Sequence, residues 1–405
     1  MKKILFVPNT LAQVQKFSYV IRELPEGTEY RMIVIDRFKS DSTLPEIRAR
    51  EMPYTELESM EPEEISGQLR EEKADLIVLG NDVELVSRAV IDAARSIGVP
   101  TLLLQDGIIC PYNFVLPITP DYIPTALSIY GPMYLLTRTL PNLLKGKTRK
   151  RDEVYRYGIT ADNVAVWGDY SKREFVELGA KAENVFVTGS PAMDLTVSAE
   201  GGSREEILRK AGADPEKKTL LFVPADMVGG RLYSRKEYRQ MCDTICSSVK
   251  RQKDIQMIIK PHPSFIRREP KYFDRYLCDN IFLSNDNPYH LLRACDALVA
   301  EISTMILEAI AFGLPIVVAN LTGRKFPCEP YPRIYVQEGV AILLEDEDKA
   351  DGQLRSMLFD EGLISAMKGK QAAFIEDQLS SLDGRSAKRI VALMQRIIDG
   401  KEEKA

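Results

Sequence analysis

The 405-residue sequence has two histidines, one tryptophan and six cysteines, and it has no surplus of positive charge. Its 54 Lys and Arg stand against 59 Asp and Glu, a formal net charge of −5. Chains that bind the nucleic-acid backbone usually carry a basic excess, so nucleic acid is not the expected partner. The cysteines, at 110, 242, 246, 278, 295 and 328, are too sparse for a disulfide framework. Cys242 and Cys246 lie one helical turn apart with no histidine beside them, which argues against a metal site. They suit core or surface thiols in a reducing compartment. No apolar run reaches the roughly 18–20 residues of a spanning helix. Lys2 and Lys3 precede only the apolar run 4–7 before Pro8, too short for the core of an export signal. A cytoplasmic protein is expected. No glycine-spaced dinucleotide fingerprint, phosphate-loop Lys-Ser/Thr motif or zinc spacing occurs, which weighs against dehydrogenases, kinases and metallohydrolases.

At 45% hydrophobic and 28% charged, the composition is that of a globular chain. Short apolar, β-branched runs fall at 4–7, 31–35, 76–79, 101–104, 164–166 and 185–187, and again at 220–223, 256–259, 281–283, 297–300 and 316–319. Helix-length amphipathic segments separate most of them, for example 84–97, 236–251 and 304–312. This alternation predicts an α/β fold of two Rossmann-like, doubly wound parallel-sheet domains facing across a cleft. Pro191, Gly201-Gly202, Gly212 and Pro215 mark the break between them, with one short helix at 204–211. The expected organisation is a first domain at 1–190 carrying an insertion at 107–151, a linker at 191–217 and a second domain at 218–370. Helices at 371–405 would pack back on the first domain.

Residues 107–137 hold one charge, Asp121, and five prolines, which would break a spanning helix. Directly after come Arg138, Lys145, Lys147, Arg149, Lys150 and Arg151, with no acid among them. An apolar segment beside a basic run suits an anionic membrane face or a lipid-linked substrate. It equally suits a lid or a homodimer contact with a solvated basic tail.

In doubly wound sheets ligands bind off the carboxyl ends of strands. The run 297–300 is followed there by Ser303 and Thr304 at a helix start. Ile306 and Leu307 stand where a capping box would place Glu, so the first-turn N–H groups are expected to remain available to a diphosphate. Glu308, one turn on, is placed for ribose hydroxyls. After 256–259 comes Lys260-Pro261-His262-Pro263, whose prolines rigidify the loop and whose imidazole and ammonium suit a phosphate. His290 reads as structural. After 220–223, Gly230 and Arg231 offer close backbone approach and a guanidinium. On the first half, Asp82 and Asp106 follow adjacent strands. Either suits a general base, Asp106 more so because Gly107 leaves room for substrate, whereas Asp82 is placed to cap the helix at 84–97. Asp346-Glu347-Asp348 reads as a solvated cap.

These residues resemble the two-Rossmann-domain (GT-B) glycosyltransferase superfamily. The stretch from Asp296 through Glu301, Ile302, Ser303 and Thr304 to Glu308 is similar to the nucleotide-binding stretch of CDP-glycerol glycerophosphotransferases and capsule-type transferases, although their pattern there is Asp-Tyr-Ser-Ser. Lys260-Pro261-His262-Pro263 matches their Lys-x-His-Pro loop. Asp106 stands where they carry a histidine base. The chain also resembles UDP-N-acetylglucosamine 2-epimerases at Gly80-Asn81-Asp82, Asp106-Gly107 and Thr188-Gly189-Ser190-Pro191 with Asp194, but lacks the His-Arg-x-Glu-Asn motif after 220–223. The resemblance implies a metal-independent transferase without a resident cofactor, taking a nucleotide-activated sugar or polyol as substrate. Its acceptor would be a cell-surface glycan or lipid-linked molecule on the inner membrane face. Asp106 would act as base, with Asp82 and His262 beside it in the chemistry. Ser303, Thr304, Glu308, Lys260, Arg231 and Gly230 would hold the nucleotide. A UDP-sugar 2-epimerase and a non-catalytic nucleotide-sugar-binding assembly protein are the alternatives.

Overall fold

The computed structural model describes residues 2–38, 42–82, 84–107, 159–196, 202–228, 233–301, 303–322 and 331–402. Gly230, Arg231 and the basic residues from Arg138 to Arg151 lie outside them. The described residues fall into two compact units, one within Met1–Pro111, Tyr155–Ser198 and Glu376–Ala405, the other within Tyr112–Val154 and Ala199–Ile375.

The first unit is built on seven parallel strands: β1 (Lys3–Val7), β2 (Glu29–Val34), β3 (Tyr54–Glu56), β4 (Leu76–Leu79), β5 (Thr101–Leu104), β6 (Asn163–Val166) and β7 (Val185–Val187). They run in the order β3-β2-β1-β4-β5-β6-β7. The second has six, β8 (Lys218–Val223), β9 (Ile255–Ile259), β10 (Ile281–Leu283), β11 (Ala297–Ala300), β12 (Ile316–Ala319) and β13 (Ile342–Leu344), in the order β10-β9-β8-β11-β12-β13. Every residue of β4, β5, β9, β11 and β12 is buried. Helices cover both faces of such a sheet, which is why these strands read as unbroken apolar runs rather than alternating ones. Each fully buried Leu, Ile or Val there contributes about 1.5–3 kcal/mol of transfer free energy.

The edge strands β3 and β13 are not anticipated by the sequence. Each has three residues, and Tyr-Thr-Glu in β3 carries no apolar run because none of its residues is buried. Helix Arg204–Lys210 appears where expected, started by a capping box between Ser203 and Glu206. Asp346 accepts the Asp348 N–H at the head of a short turn, the solvated cap expected of it.

The C-terminal helix Ser386–Glu402 buries Ile390, Val391, Met394 and Ile398 against β1, β2 and β4 on one face of the first sheet. Asp194 fixes its start: Ser386 Oγ donates to Asp194 Oδ1 at 2.8 Å and the Ala387 N–H to Oδ2 at 3.4 Å. Burial holds the Asp194 carboxyl above the usual carboxylate range. Arg389 Nε donates to the Thr188 carbonyl at 2.8 Å. The Thr188–Asp194 stretch is thus a dock for this helix.

In the second unit, helix Arg235–Arg251 buries Tyr238, Met241, Cys242, Ile245, Cys246 and Val249 against the sheet. Burial pushes the thiol of Cys242 upward, so it behaves as an apolar side chain. Among the described residues no helix is long and apolar enough to cross a membrane.

Candidate functional site

Both sheets reverse direction of winding at one place, between β1 and β4 in the first unit and between β8 and β11 in the second. The strand ends there open the crevice in which doubly wound proteins bind ligands. In the second unit Lys260 and His262 follow β9, and Ser303 and Thr304 follow β11, the two neighbours of β8. Two strand spacings separate these ends by about 10 Å, a distance a nucleoside diphosphate spans.

Lys260 is half-buried, and no acidic side chain pairs with it among the described residues. Desolvation lowers its pKa, opposed in part by Asp286. Asp286 is itself paired with Lys210 at 2.9 Å, so the desolvated ammonium suits an anion. His262 is the N-cap of helix Pro263–Arg268, with the Ser264 N–H donating to its Nδ1 at 3.2 Å. Nδ1 thus faces Ser264, whose backbone N–H and hydroxyl both lie against it and fix the plane of the ring. Desolvation pulls the imidazole below its ordinary pKa. Asp226 opposes this, while Arg267, Lys260 and Arg268 act in the same direction as desolvation, which favours a neutral ring. Ser264 Oγ lies 2.7 Å from Nδ1 and also donates to Asp226, whose carboxylate Arg268 grips through two bonds. The loop after β8 therefore orients the imidazole through Ser264, a connection invisible in the sequence because 38 positions separate Asp226 from Ser264.

The helix after β11 spans Met305–Ala311 and closes at Gly313, whose φ of +70° is the left-handed stop expected there. Its first-turn amides are not open, contrary to expectation. The Met305 N–H donates to Ser303 Oγ at 3.1 Å and the Ile306 N–H to the Ser303 carbonyl at 3.1 Å. Ser303 caps the helix itself, so no capping-box glutamate is needed. Its hydroxyl proton stays free to donate, and the exposed Thr304 hydroxyl makes no cap bond. Glu308 is buried at 8% exposure and accepts from the Tyr289 hydroxyl at 3.2 Å, so its carboxylate is held by the protein. His290 lies 3.7 Å from Asp286, which precedes the N-cap of its helix.

Glu301, which the sequence marks only as a departure from a family pattern, occupies the crevice itself. It is fully buried, and Oε2 accepts the Ala225 N–H at 2.9 Å, while Oε1 has no hydrogen-bond partner among the described residues. Burial pushes its pKa up to about 8, so it is predominantly protonated at neutral pH. The folded-state pKa lies above the ordinary 4.5, so its contribution to stability is complete at low pH and is lost as pH rises through about 8. Urea unfolding of the wild type should weaken by on the order of a few kcal/mol between pH 5 and pH 9 from this group, and Glu301→Gln should remove that slope. A variant with the wild-type slope would show that the carboxyl does not carry it.

In the first unit Asp106 follows β5. Its Oδ2 accepts from Gln13 Nε2 at 2.8 Å and its Oδ1 from Lys16 Nζ at 2.7 Å, and its side chain remains one-quarter exposed. Gln13 also joins the two crevice edges, accepting the Asn9 N–H and donating to the Gly80 carbonyl at 3.1 Å. A Cβ on Gly80 would stand 2.2 Å from the Gln13 amide carbon, so only glycine admits this arrangement. Lys16 lies 5.6 Å above the Trp167 ring, whose Nε1 donates to the Gln105 carbonyl. A concavity of about 20 Å³ beside Asp106, bordered by Gly80, Gln105, Trp167 and Pro191, has room for a water or a hydroxyl group. Asp82 is fully buried, and its Oδ2 accepts the Thr160 N–H at 3.0 Å, tying the end of β4 to the chain entering β6. It does not cap the following helix, which begins at Leu85 with Glu84 as N-cap.

Two doubly wound parallel-sheet units define a GT-B-like fold, that of nucleotide-dependent transferases. The chain belongs to the CDP-glycerol:poly(glycerophosphate) glycerophosphotransferase family, whose model matches residues 148–395. No curated protein matches the sequence. Among solved structures it is similar to Staphylococcus aureus MnaA with UDP, at 18% identity over 98% of this chain and 97% of that one, with a TM-score of 0.62. The wall teichoic acid polymerase TagF matches at 12% identity over 99% and 90% of the two chains, TM-score 0.61. The Neisseria meningitidis UDP-GlcNAc 2-epimerase bound to UDP-GlcNAc matches at 15% identity over 97% and 100%, TM-score 0.61. At these identities the likeness concerns the fold.

Proposed function

We propose that the protein transfers a sugar or polyol phosphate from a nucleotide-activated donor to a hydroxyl of a cell-surface glycan or lipid-linked acceptor. The observation that carries this reading is the half-buried Lys260, with no acidic side chain in ion-pair contact among the described residues, beside the His262 ring held by Ser264. In this reading Lys260, His262, Ser303 and Thr304 hold the donor phosphates. Asp106 takes the proton from the acceptor hydroxyl as its oxygen bonds to the transferred group. The bond to the nucleotide phosphate oxygen breaks, and the charge left there is met by Lys260 and the His262 N–H. Fixed donors of this kind do the work of a divalent ion, so transfer should persist in a chelator. The basic residues between Arg138 and Arg151 support, from sequence alone, a peripheral place on an anionic inner membrane face, with vesicle binding that weakens as salt rises.

Family membership supports transfer over epimerisation, and so does Asp82. A 2-epimerase would need two groups exchanging a proton at one carbon, and a carboxylate wholly buried and bonded to Thr160 offers no face to a sugar. The deciding experiment incubates the full chain with CDP- and UDP-linked donors in deuterated water, with and without a hydroxyl acceptor. Acceptor-dependent release of nucleotide with no deuterium in recovered donor is expected. Deuterium incorporation without acceptor would replace this reading with the epimerase.

A further inference from the structure

We propose that a pocket of about 240 Å³ on the second unit is a subsite for phosphodiester groups of a linear anionic acceptor. It rests on the transferase reading only for the identity of that ligand. Arg235 and Arg239 stand one turn apart at the start of helix Arg235–Arg251, and Arg275 enters from the turn Tyr272–Tyr276. Tyr238, Phe265 and Tyr272 form an aromatic wall, with ring centroids 4.9–5.6 Å apart.

The three cations differ in how far the protein satisfies them. Arg235 pairs with Glu269 at 2.9 Å. Arg239 has only Asp243, at 3.8 Å, beyond hydrogen-bonding distance. Arg275 has no carboxylate partner among the described residues. Its guanidinium is nevertheless fixed, stacked 4.7 Å from the Tyr272 ring centroid with Nε donating to the Tyr272 carbonyl at 3.0 Å. That bond leaves both terminal nitrogens for a ligand. A planar guanidinium held in place presents its donors to a phosphate in pairs, with less entropy to lose than a free side chain. Three arginines against one glutamate leave the lining positive. The Tyr238 hydroxyl is also buried with no hydrogen-bond partner among the described residues. Tyr238 and Phe265 are buried beneath the pocket and form its rigid floor, on which the Tyr272–Arg275 stack is held.

Position supports the assignment. Phe265 belongs to helix Pro263–Arg268, whose cap is His262, and Glu269 follows its last turn. That six-residue helix is about 9 Å long. A chain whose growing end reaches the reacting group near His262 would lay an earlier phosphodiester against the arginines.

The test measures direct binding of a defined glycerol-phosphate oligomer to the full-length chain by calorimetry, without nucleotide. Wild type is compared with Arg239→Ala/Arg275→Ala and with Arg275→Lys, a variant that keeps the charge if the double variant unfolds. Affinity should fall about tenfold or more in the double variant and less in Arg275→Lys, because a lysine cannot reproduce the paired donors. Nucleotide-donor binding should be unchanged in both. Equal oligomer affinity in all three proteins would overturn the subsite, as would binding to phosphatidylglycerol vesicles but not to the oligomer. Failure of nucleotide binding in the wild type would instead remove the transferase reading and leave the oligomer result intact.

Discussion

Asp106→Asn should lower transfer by about 10²–10⁴-fold, the contribution of a positioned general base, while donor binding survives. Gln13 and Lys16 hold the carboxylate in place, each donating to one of its oxygens. One-quarter of the side chain is exposed beside a concavity of hydroxyl size, where an acceptor hydroxyl can approach it. Asparagine keeps the shape and the oxygen that accepts from Gln13 but cannot take the hydroxyl proton. The lost ion pair is partly exposed and worth at most about 1 kcal/mol, so a rate loss of this size cannot arise from unfolding. Parallel loss of donor binding and transfer would remove Asp106 from the base role.

Lys260→Ala and His262→Ala should each reduce kcat by about 10²–10³-fold, the usual cost of removing one fixed donor from developing charge. His262→Gln should retain part of the rate, since its amide can present an N–H near the position of Nε2. The His262 effect should be steady across neutral pH, because desolvation keeps the ring neutral there. A rate that rose with acid, tracking imidazolium, would show that the charged ring is the working form. Turnover unchanged in both variants would place the leaving-group contacts elsewhere.

The core of the fold was legible because the inner strands are buried on both faces and must be apolar throughout. Eleven apolar runs each became a strand. Two of the four edge strands were not legible: Tyr-Thr-Glu in β3 carries no apolar run, and β13 is only three residues long with two of them half-buried. The candidate site was legible where one segment carries its own chemistry, as Lys260-Pro261-His262-Pro263 does. It was not legible where chemistry depends on contacts distant in sequence. Gln13 and Lys16 lie on the first helix, 93 and 90 positions from the aspartate they hold. Glu301 meets Ala225 across 76 positions. The helix start after β11 misled in the opposite way. Without a glutamate at the usual place its amides look open, yet a serine two residues ahead reaches back to fill them. A carboxylate after a strand was likewise ambiguous. Asp82 and Asp106 occupy equivalent places in the sequence pattern, and only burial separates the structural residue from the accessible one.

Calorimetric titration of CDP- and UDP-linked donors into the wild type, Lys260→Ala and His262→Ala bears most directly on the claim that activated phosphates settle at the end of β9. Saturable binding of at least one donor, weakened about tenfold or more by either substitution, is the predicted result. Donor binding of equal strength in all three proteins would contradict it.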